Sequence, residues 1–392
     1  MIKAISTVVS IAVGWLIIVP ISLIVPKRRH ILYIEDEGFT GNIKYQFLHH
    51  YLNHDEGYQA YYLTYSKKVY CEIKNDVPVL YHISFESIVC LLQASVVVVS
   101  SEGWQRLLCY YLCFRAKKIQ LWHAAGVKKV GLEVEVMRHN RSIYRIYCML
   151  TGRYPEYDLF LFNSMRQYTT RKHCFRFRMH FIAMNPRNEV LFRTPTFHDL
   201  LWTDTPVIEA AREHRLKNKY LILFAPTFRE NDGLLDETAY IDFKKLSSAA
   251  GTNDWVFIVK LHTFSEQRRI EYENVIFYDK SRDVYPLLSY VDLLITDYSS
   301  IFSDFMLTGK PIILYLKDYE QYAGKERGLQ MDIRRLFGSL VCTGQKRLMD
   351  TILNIRKGNQ KIEYQKMISL FFDEMDMKAS EMIYQAILER LN

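Results

Sequence analysis

Seven polar residues stand just after apolar runs in this 392-residue chain: His123, Arg229, Lys260, His262, Asp297, Ser299 and Ser300. Imidazole titrates near neutrality, so a histidine beside a substrate hydroxyl can take its proton. His262 follows Lys260 by two residues, and in extended chain both side chains point to one side. A cation pair on one face is poor core design but suits a phosphate. Arg229 comes after Pro226, whose fixed φ stiffens a turn able to present a guanidinium for bidentate phosphate binding. Ser299 and Ser300 stand where a helix begins; two hydroxyls and unpaired backbone amides make an anion site. Each residue also has a plainer explanation. The histidines satisfy neighbouring backbone, the arginine lies on the surface, and the serines cap the helix. Asp297 orients His262, holds a ribose hydroxyl or caps that same helix. The shared position of the set, rather than any single member, argues for a phosphate-handling site.

That position follows from the elements. Within Val291–Tyr322, Leu293–Ile295 is a short apolar run that reads as a buried strand. Ile301, Phe302, Phe305, Met306 and Leu307 then recur at helical spacing. Thr308-Gly309-Lys310-Pro311 ends the helix, and Ile312–Leu316 is a second strand, which makes a compact βαβ unit with parallel strands. Further strands are expected at Ile31–Ile34, Tyr61–Thr64, Val77–Leu80, Val96–Ser100, Lys118–Trp122, Leu159–Phe162, Tyr220–Phe224, Val256–Leu261 and Val275–Tyr278, with helical patterns between them. Strands alternating with helices predict parallel α/β sheets, whose ligands sit beyond the carboxyl ends of the strands. Thr194–Lys217, with Pro195 and Pro206, reads as a linker. The chain then divides into a membrane anchor (1–29), a first Rossmann-like domain facing acceptor and membrane (30–200), and a nucleotide-donor domain with C-terminal helices (201–392).

Residues 4–26 carry no charge and are long enough for a bilayer, which needs about 20 apolar residues. Lys27-Arg28-Arg29 follows at once and places the rest of the chain on the cytoplasmic face. A cleaved signal peptide fits less well, because the basic cluster lies on the wrong side and no small-residue cleavage pattern is present. Pro20 leaves room for a kinked helix that enters one leaflet only. The net charge is +8, which suits an anionic partner. Lys and Arg crowd the stretch from Lys128 to Arg187. This is either a solvated helix face or a surface for anionic lipid; no nucleic-acid-binding motif supports a third choice. The seven cysteines are scattered without zinc spacing, in keeping with reduced thiols in a cytosolic compartment. No D-x-D pair offers a metal site, no phosphate-loop or dinucleotide fingerprint occurs, and no cofactor is expected.

Several segments resemble, in order, the CDP-glycerol glycerophosphotransferases that build teichoic acids and related capsule polymers. They are Gly41-Asn42-Ile43-Lys44-Tyr45, Trp122-His123 with Gly126 and Lys128, and Pro186-Arg187-Asn188. Ala225-Pro226-Thr227-Phe228-Arg229, Lys260-Leu261-His262, and Thr296–Ser300 with Lys310-Pro311, Tyr315 and Asp318 complete the set. The sequence departs from the family pattern at Ala124, Thr263 and Glu189. The resemblance implies a GT-B-like architecture, with two Rossmann-like domains facing across a cleft. It implies attack of an acceptor hydroxyl on the β-phosphate of CDP-glycerol, with release of CMP. It makes His123 the general base and His262 its catalytic partner at the diphosphate. Arg229, Thr227, Lys260, Ser299 and Ser300 would hold the donor, and Asp297 would support the nucleotide. Asn42, Lys44, Gly126, Lys128, Arg187 and Tyr298 are further candidates. The implied partners are CDP-glycerol or a related CDP-alditol, a lipid-linked acceptor and the membrane. A GT-B glycosyltransferase using a nucleotide sugar shares the same features and differs in its donor.

Overall fold

The computed structural model describes residues 2–36, 38–54, 57–123, 129–133, 141–227, 240–262, 271–320, 322, 331–360 and 364–391. Two wholly parallel sheets organise it. The first comprises β1 (Arg28–Glu35), β2 (Gln59–Thr64), β3 (Val79–Tyr81), β4 (Ala94–Val99), β5 (Lys117–Gln120), β6 (Glu156–Phe162) and β7 (Arg176–Ile182), in the order β3-β2-β1-β4-β5-β6-β7. The second comprises β8 (Tyr220–Ala225), β9 (Trp255–Val259), β10 (Val275–Phe277), β11 (Leu293–Thr296), β12 (Ile312–Tyr315) and β13 (Val341–Cys342), in the order β10-β9-β8-β11-β12-β13.

The central strands are apolar on both faces, as helices on each side of a parallel sheet require. Ile31 and Tyr33 of β1 enter one core with Val96 and Val98 of β4. Leu32, Ile34, Val97 and Val99 enter the core on the opposite face. In the second sheet Leu221 and Leu223 face one core, and Ile222 and Phe224 the other. This alternation fixes register, since a slip by one residue would exchange the faces.

β7 and β13 fall outside the expected strands. β7 reads Arg-Phe-Arg-Met-His-Phe-Ile and is largely exposed. It is an edge strand, and its charges discourage further strand pairing. Those same charges hid it inside the basic stretch.

Thr194–Lys217, which carries the chain from the first lobe to the second, is ordered structure. Thr196 and Asp199 form a capping box, Trp202 is buried, and a helix runs Thr205–Leu216 with Pro206 in its first turn. Proline there starts a helix instead of breaking one. The last helix, Ala379–Leu388, was expected with the second domain. Its Ile383, Tyr384 and Ile387 pack instead into the core of the first sheet.

Residues Ile2–Ile24 form one helical rod with a π-helical turn at Gly14–Ile18. Its Ser6–Ile24 portion is long and apolar enough to cross a membrane, with 17% of that window buried. The rod docks on the first lobe. Trp15 Nε1 donates to the Leu150 carbonyl at 2.9 Å, and Arg115 donates to the carbonyls of Leu23 and Val25 at its far end.

Candidate active site

His123 lies three residues beyond β5. Trp122, just before it, has a left-handed φ of 51°, and this turn directs the imidazole away from the strand. The fold holds the turn from behind. Buried Asn42 Nδ2 donates to the Trp122 carbonyl at 2.7 Å and to Asn185 Oδ1 at 3.0 Å. Asn42 therefore acts on the backbone that carries the histidine. His123 Nδ1 lies 2.9 Å from the Ser100 carbonyl, just past β4. A carbonyl can only accept, so Nδ1 carries the proton and the neutral ring keeps its lone pair on Nε2. The ring remains open to solvent. The protein mass around it still lowers its pKa below the usual value, and Arg187 and Arg171 add to the effect.

Glu35, at the end of β1, belongs to the same cluster. It accepts from Ser100 Oγ at 2.6 Å and from the Asp36 amide at 2.9 Å. Burial pushes its carboxyl well above the ordinary range, and Asp36 adds to this. Glu35 and Ser100 were absent from the sequence candidates. Both satisfy the criterion that selected His123, a polar residue closing an apolar strand.

In the second lobe Asp297 organises two loops. Its carboxylate accepts from the Thr227 amide at 2.9 and 3.0 Å, from Thr227 Oγ1 at 2.7 Å and from the Tyr298 amide at 2.6 Å. Asp297 and Thr227 thus lock the exits of β8 and β11 together. Ser299 and Ser300 are half-buried beside them. Ser300 makes no side-chain cap bond to the six-residue helix Ile301–Met306, whereas Ser299 Oγ accepts from the Ile301 amide at 3.5 Å. Gly309, with φ 69°, lies three residues past that helix. Lys260 Nζ donates to the Lys280 carbonyl at 2.6 Å, and burial brings its ammonium down to about 8. His262 follows it, half-buried. Arg229, Gly126 and Lys128 lie outside the described residues.

Three further candidates take other roles. Lys44 is fully buried and pairs with Asp283 Oδ2 at 2.9 Å while donating to the Asp199 and Leu201 carbonyls. It is a strut between the lobes. Tyr298 is a core residue, stacked on Tyr322 at 3.7 Å. Arg187 pairs with Asp304 Oδ2 at 2.7 Å, and Tyr285 donates to that same oxygen at 2.6 Å. Asp304 lies in the short helix that begins just after Ser300. Arg187 therefore links the surroundings of His123 to the serine loop.

Among the described residues, His49, His54 and Glu381 place possible metal-ligand atoms within 4.8 Å of one another. There Glu381 Oε2 sits 2.8 and 2.7 Å from the two imidazoles. The group tethers the last helix to the Gly41–Asn53 helix, near the end opposite Asn42. Glu189, where the family pattern has aspartate, accepts from the Ser380 amide at 2.6 Å and anchors the same helix.

The sequence profile of the CDP-Glycerol:Poly(glycerophosphate) glycerophosphotransferase family matches residues 17–389. The chain belongs to this family. A teichoic acid glycerol-phosphate transferase of Staphylococcus aureus is 27% identical over 299 residues, covering 70% of this chain and 72% of that protein. A teichoic acid poly(ribitol-phosphate) polymerase of Bacillus spizizenii is 33% identical over 179 residues. That match covers 44% of this chain, which spans 28% of the polymerase. The wall teichoic acid polymerase TagF has the same two-lobed, GT-B-like fold. One TagF structure superposes with a TM-score of 0.73 at 21% identity, covering 99% of this chain and 97% of that one. Another, soaked with CDPG, gives 0.70.

Proposed function

We propose that this chain transfers glycerol phosphate, or another alditol phosphate, from CDP-glycerol to a polyprenyl-linked acceptor at the cytoplasmic face of the membrane. Residues 4–26 hold it there. The acceptor hydroxyl attacks the β-phosphorus of CDP-glycerol and a new P–O bond forms. The bond from that phosphorus to the bridging oxygen breaks, and CMP departs. The proton of the hydroxyl passes to Nε2 of His123.

One observation carries this reading: the Ser100 carbonyl fixes the tautomer of His123, leaving Nε2 as the base nitrogen. A suppressed pKa keeps that nitrogen unprotonated at neutral pH. In the second lobe, Ser299, Ser300, Lys260, His262 and Arg229 receive the diphosphate and offset the charge that builds on it in the transition state. Asp297 and Thr227 hold together the exits of β11 and β8, and the two serines follow β11 directly. Lys260 supplies a cation at neutral pH, since its pKa of about 8 still lies above 7. The membrane helix reduces the search for a lipid-borne acceptor to two dimensions.

The test is donor screening with a lipid-linked acceptor. CMP released from CDP-glycerol or CDP-ribitol, with matching mass added to the acceptor, is the expected result. Release of UDP from a UDP-sugar under the same conditions would assign a glycosyltransferase instead. His123→Ala should lower CMP release by roughly 10²- to 10⁴-fold.

A further inference from the structure

Beside the membrane helix the first lobe carries an open cavity of about 740 Å³, inside the range of roughly 300–1,000 Å³ usual for ligand sites. Its walls are mostly apolar and include Leu132, Tyr144, Ile146, Met149 and Phe175. Arg145, His173 and Arg176 also line it and are exposed. Its one acid, Glu133, has Lys129 Nζ 3.9 Å away. Apolar walls with basic groups at the opening suit an amphiphile that has a long hydrocarbon chain and an anionic head.

Two neighbouring features narrow the choice of amphiphile. The helix Arg141–Thr151 already buries Tyr144 and Cys148 in the core, yet Ile143, and Ile146 and Met149 at the cavity's open side, are 69, 55 and 57% exposed. Such a face beside an apolar rod is suited to lie in a lipid interface. The helix and the rod are joined directly, because Trp15 Nε1 donates to the Leu150 carbonyl, which also accepts from Tyr111 Oη of the first lobe. The inner wall of the cavity packs against the turn that carries the base. The ring of Phe175 in its wall lies 4.5 Å from that of Trp122, which lies 4.5 Å from the ring of His123. A chain seated there would lie in the same lobe as His123, separated from it by these two rings.

We propose that this cavity seats the hydrocarbon chain of the polyprenyl diphosphate-linked acceptor nearest its head, with Arg145 and Arg176 on the diphosphate. The proposal rests on the glycerophosphotransfer reading above and adds where the acceptor lipid binds. Ile146→Trp fills the cavity while keeping the outer face apolar. Ile146→Ser widens it and serves if the larger residue disturbs folding. The full chain in detergent is assayed with two acceptors of identical head group, one on a long polyprenyl chain and one on a short, water-soluble alkyl chain.

For either Ile146 variant, the expected result is a roughly tenfold fall in the ratio of long-chain to short-chain kcat/KM. Arg145→Ser with Arg176→Ser should raise KM for both acceptors and leave KM for CDP-glycerol in place. A photoreactive polyprenyl diphosphate should label 141–151, with competition by unlabelled acceptor and not by phosphatidylglycerol vesicles. An unchanged ratio, or competition by the vesicles, overturns the proposal. Wild-type turnover of the short-chain acceptor shows in either case that glycerophosphotransfer itself stands. Its absence with every acceptor would overturn that reading and this one together.

Discussion

Arg187 and Asp304 meet at 2.7 Å in the interior between the two lobes, the arginine from the first and the carboxylate from the second. Nothing polar is left over on the carboxylate, which also takes bonds from Tyr285 and Asn185. Arg187 Nε is buried without a partner, so the guanidinium depends on Asp304 for its compensation. Removing one member of such a pair strands the other charge, at a cost of about 3–5 kcal/mol. Asp304→Ala should therefore lower unfolding stability by that amount in urea titration. Asp304→Asn, which keeps the shape, should lose less. Full retention of stability in both variants would show that the contact is not formed in solution.

The pH dependence of turnover has two limbs. The base must be neutral, and surrounding protein holds the His123 pKa below the ordinary 6.5. Activity should fall as pH drops through that lowered value and be level at neutrality. On the alkaline side Lys260 loses its charge near 8, so KM for CDP-glycerol should rise above that pH. Lys260→Arg should move the alkaline limb upward without shifting the acid limb. Initial rates of CMP release from pH 5 to 9.5 check both.

Asp297 accepts two backbone amides and one hydroxyl while buried. Asparagine in its place offers one accepting oxygen and brings two donors into a ring of donors. Asp297→Asn should cost about 1–3 kcal/mol of stability. Loosening of the β8 and β11 exits should appear as a higher KM for CDP-glycerol with KM for acceptor little changed.

Gly14 lies against Tyr111, and a Cβ there would come within 2.6 Å of the ring. Gly14→Val should undock the rod from the first lobe while leaving it apolar. The protein should still pellet with membranes, yet protease cleavage near Lys27 should become faster. Unchanged cleavage would mean that the contact adds nothing to docking.

The parallel sheets were readable because their central strands are continuous apolar runs bounded by turn residues, Ile31–Ile34 and Ile312–Leu316 among them. β7 was not, since an edge strand with alternating arginines has the pattern of a solvated surface. The helix that starts at Pro206 was not legible, because a proline at a helix start and one in a loop look alike, and Trp202 shows its role only with the partner that buries it. At the candidate site, strand-end position singled out His123 and Asp297. It could not reveal that Lys44 serves Asp283, a residue 239 positions away, because such pairings exist only once two lobes meet. Glu35 and Ser100 were within reach of the same rule and were passed over.

The return of the last helix to the first lobe limits how the molecule can move. The chain passes between lobes once over 183–207 and again between Phe372 and Ile383. Two separate covalent crossings define an axis, where a single one would allow swivelling in any direction. Any rotation of the halves would have its axis through both crossings and would have to part the buried Lys44–Asp283 and Arg187–Asp304 pairs.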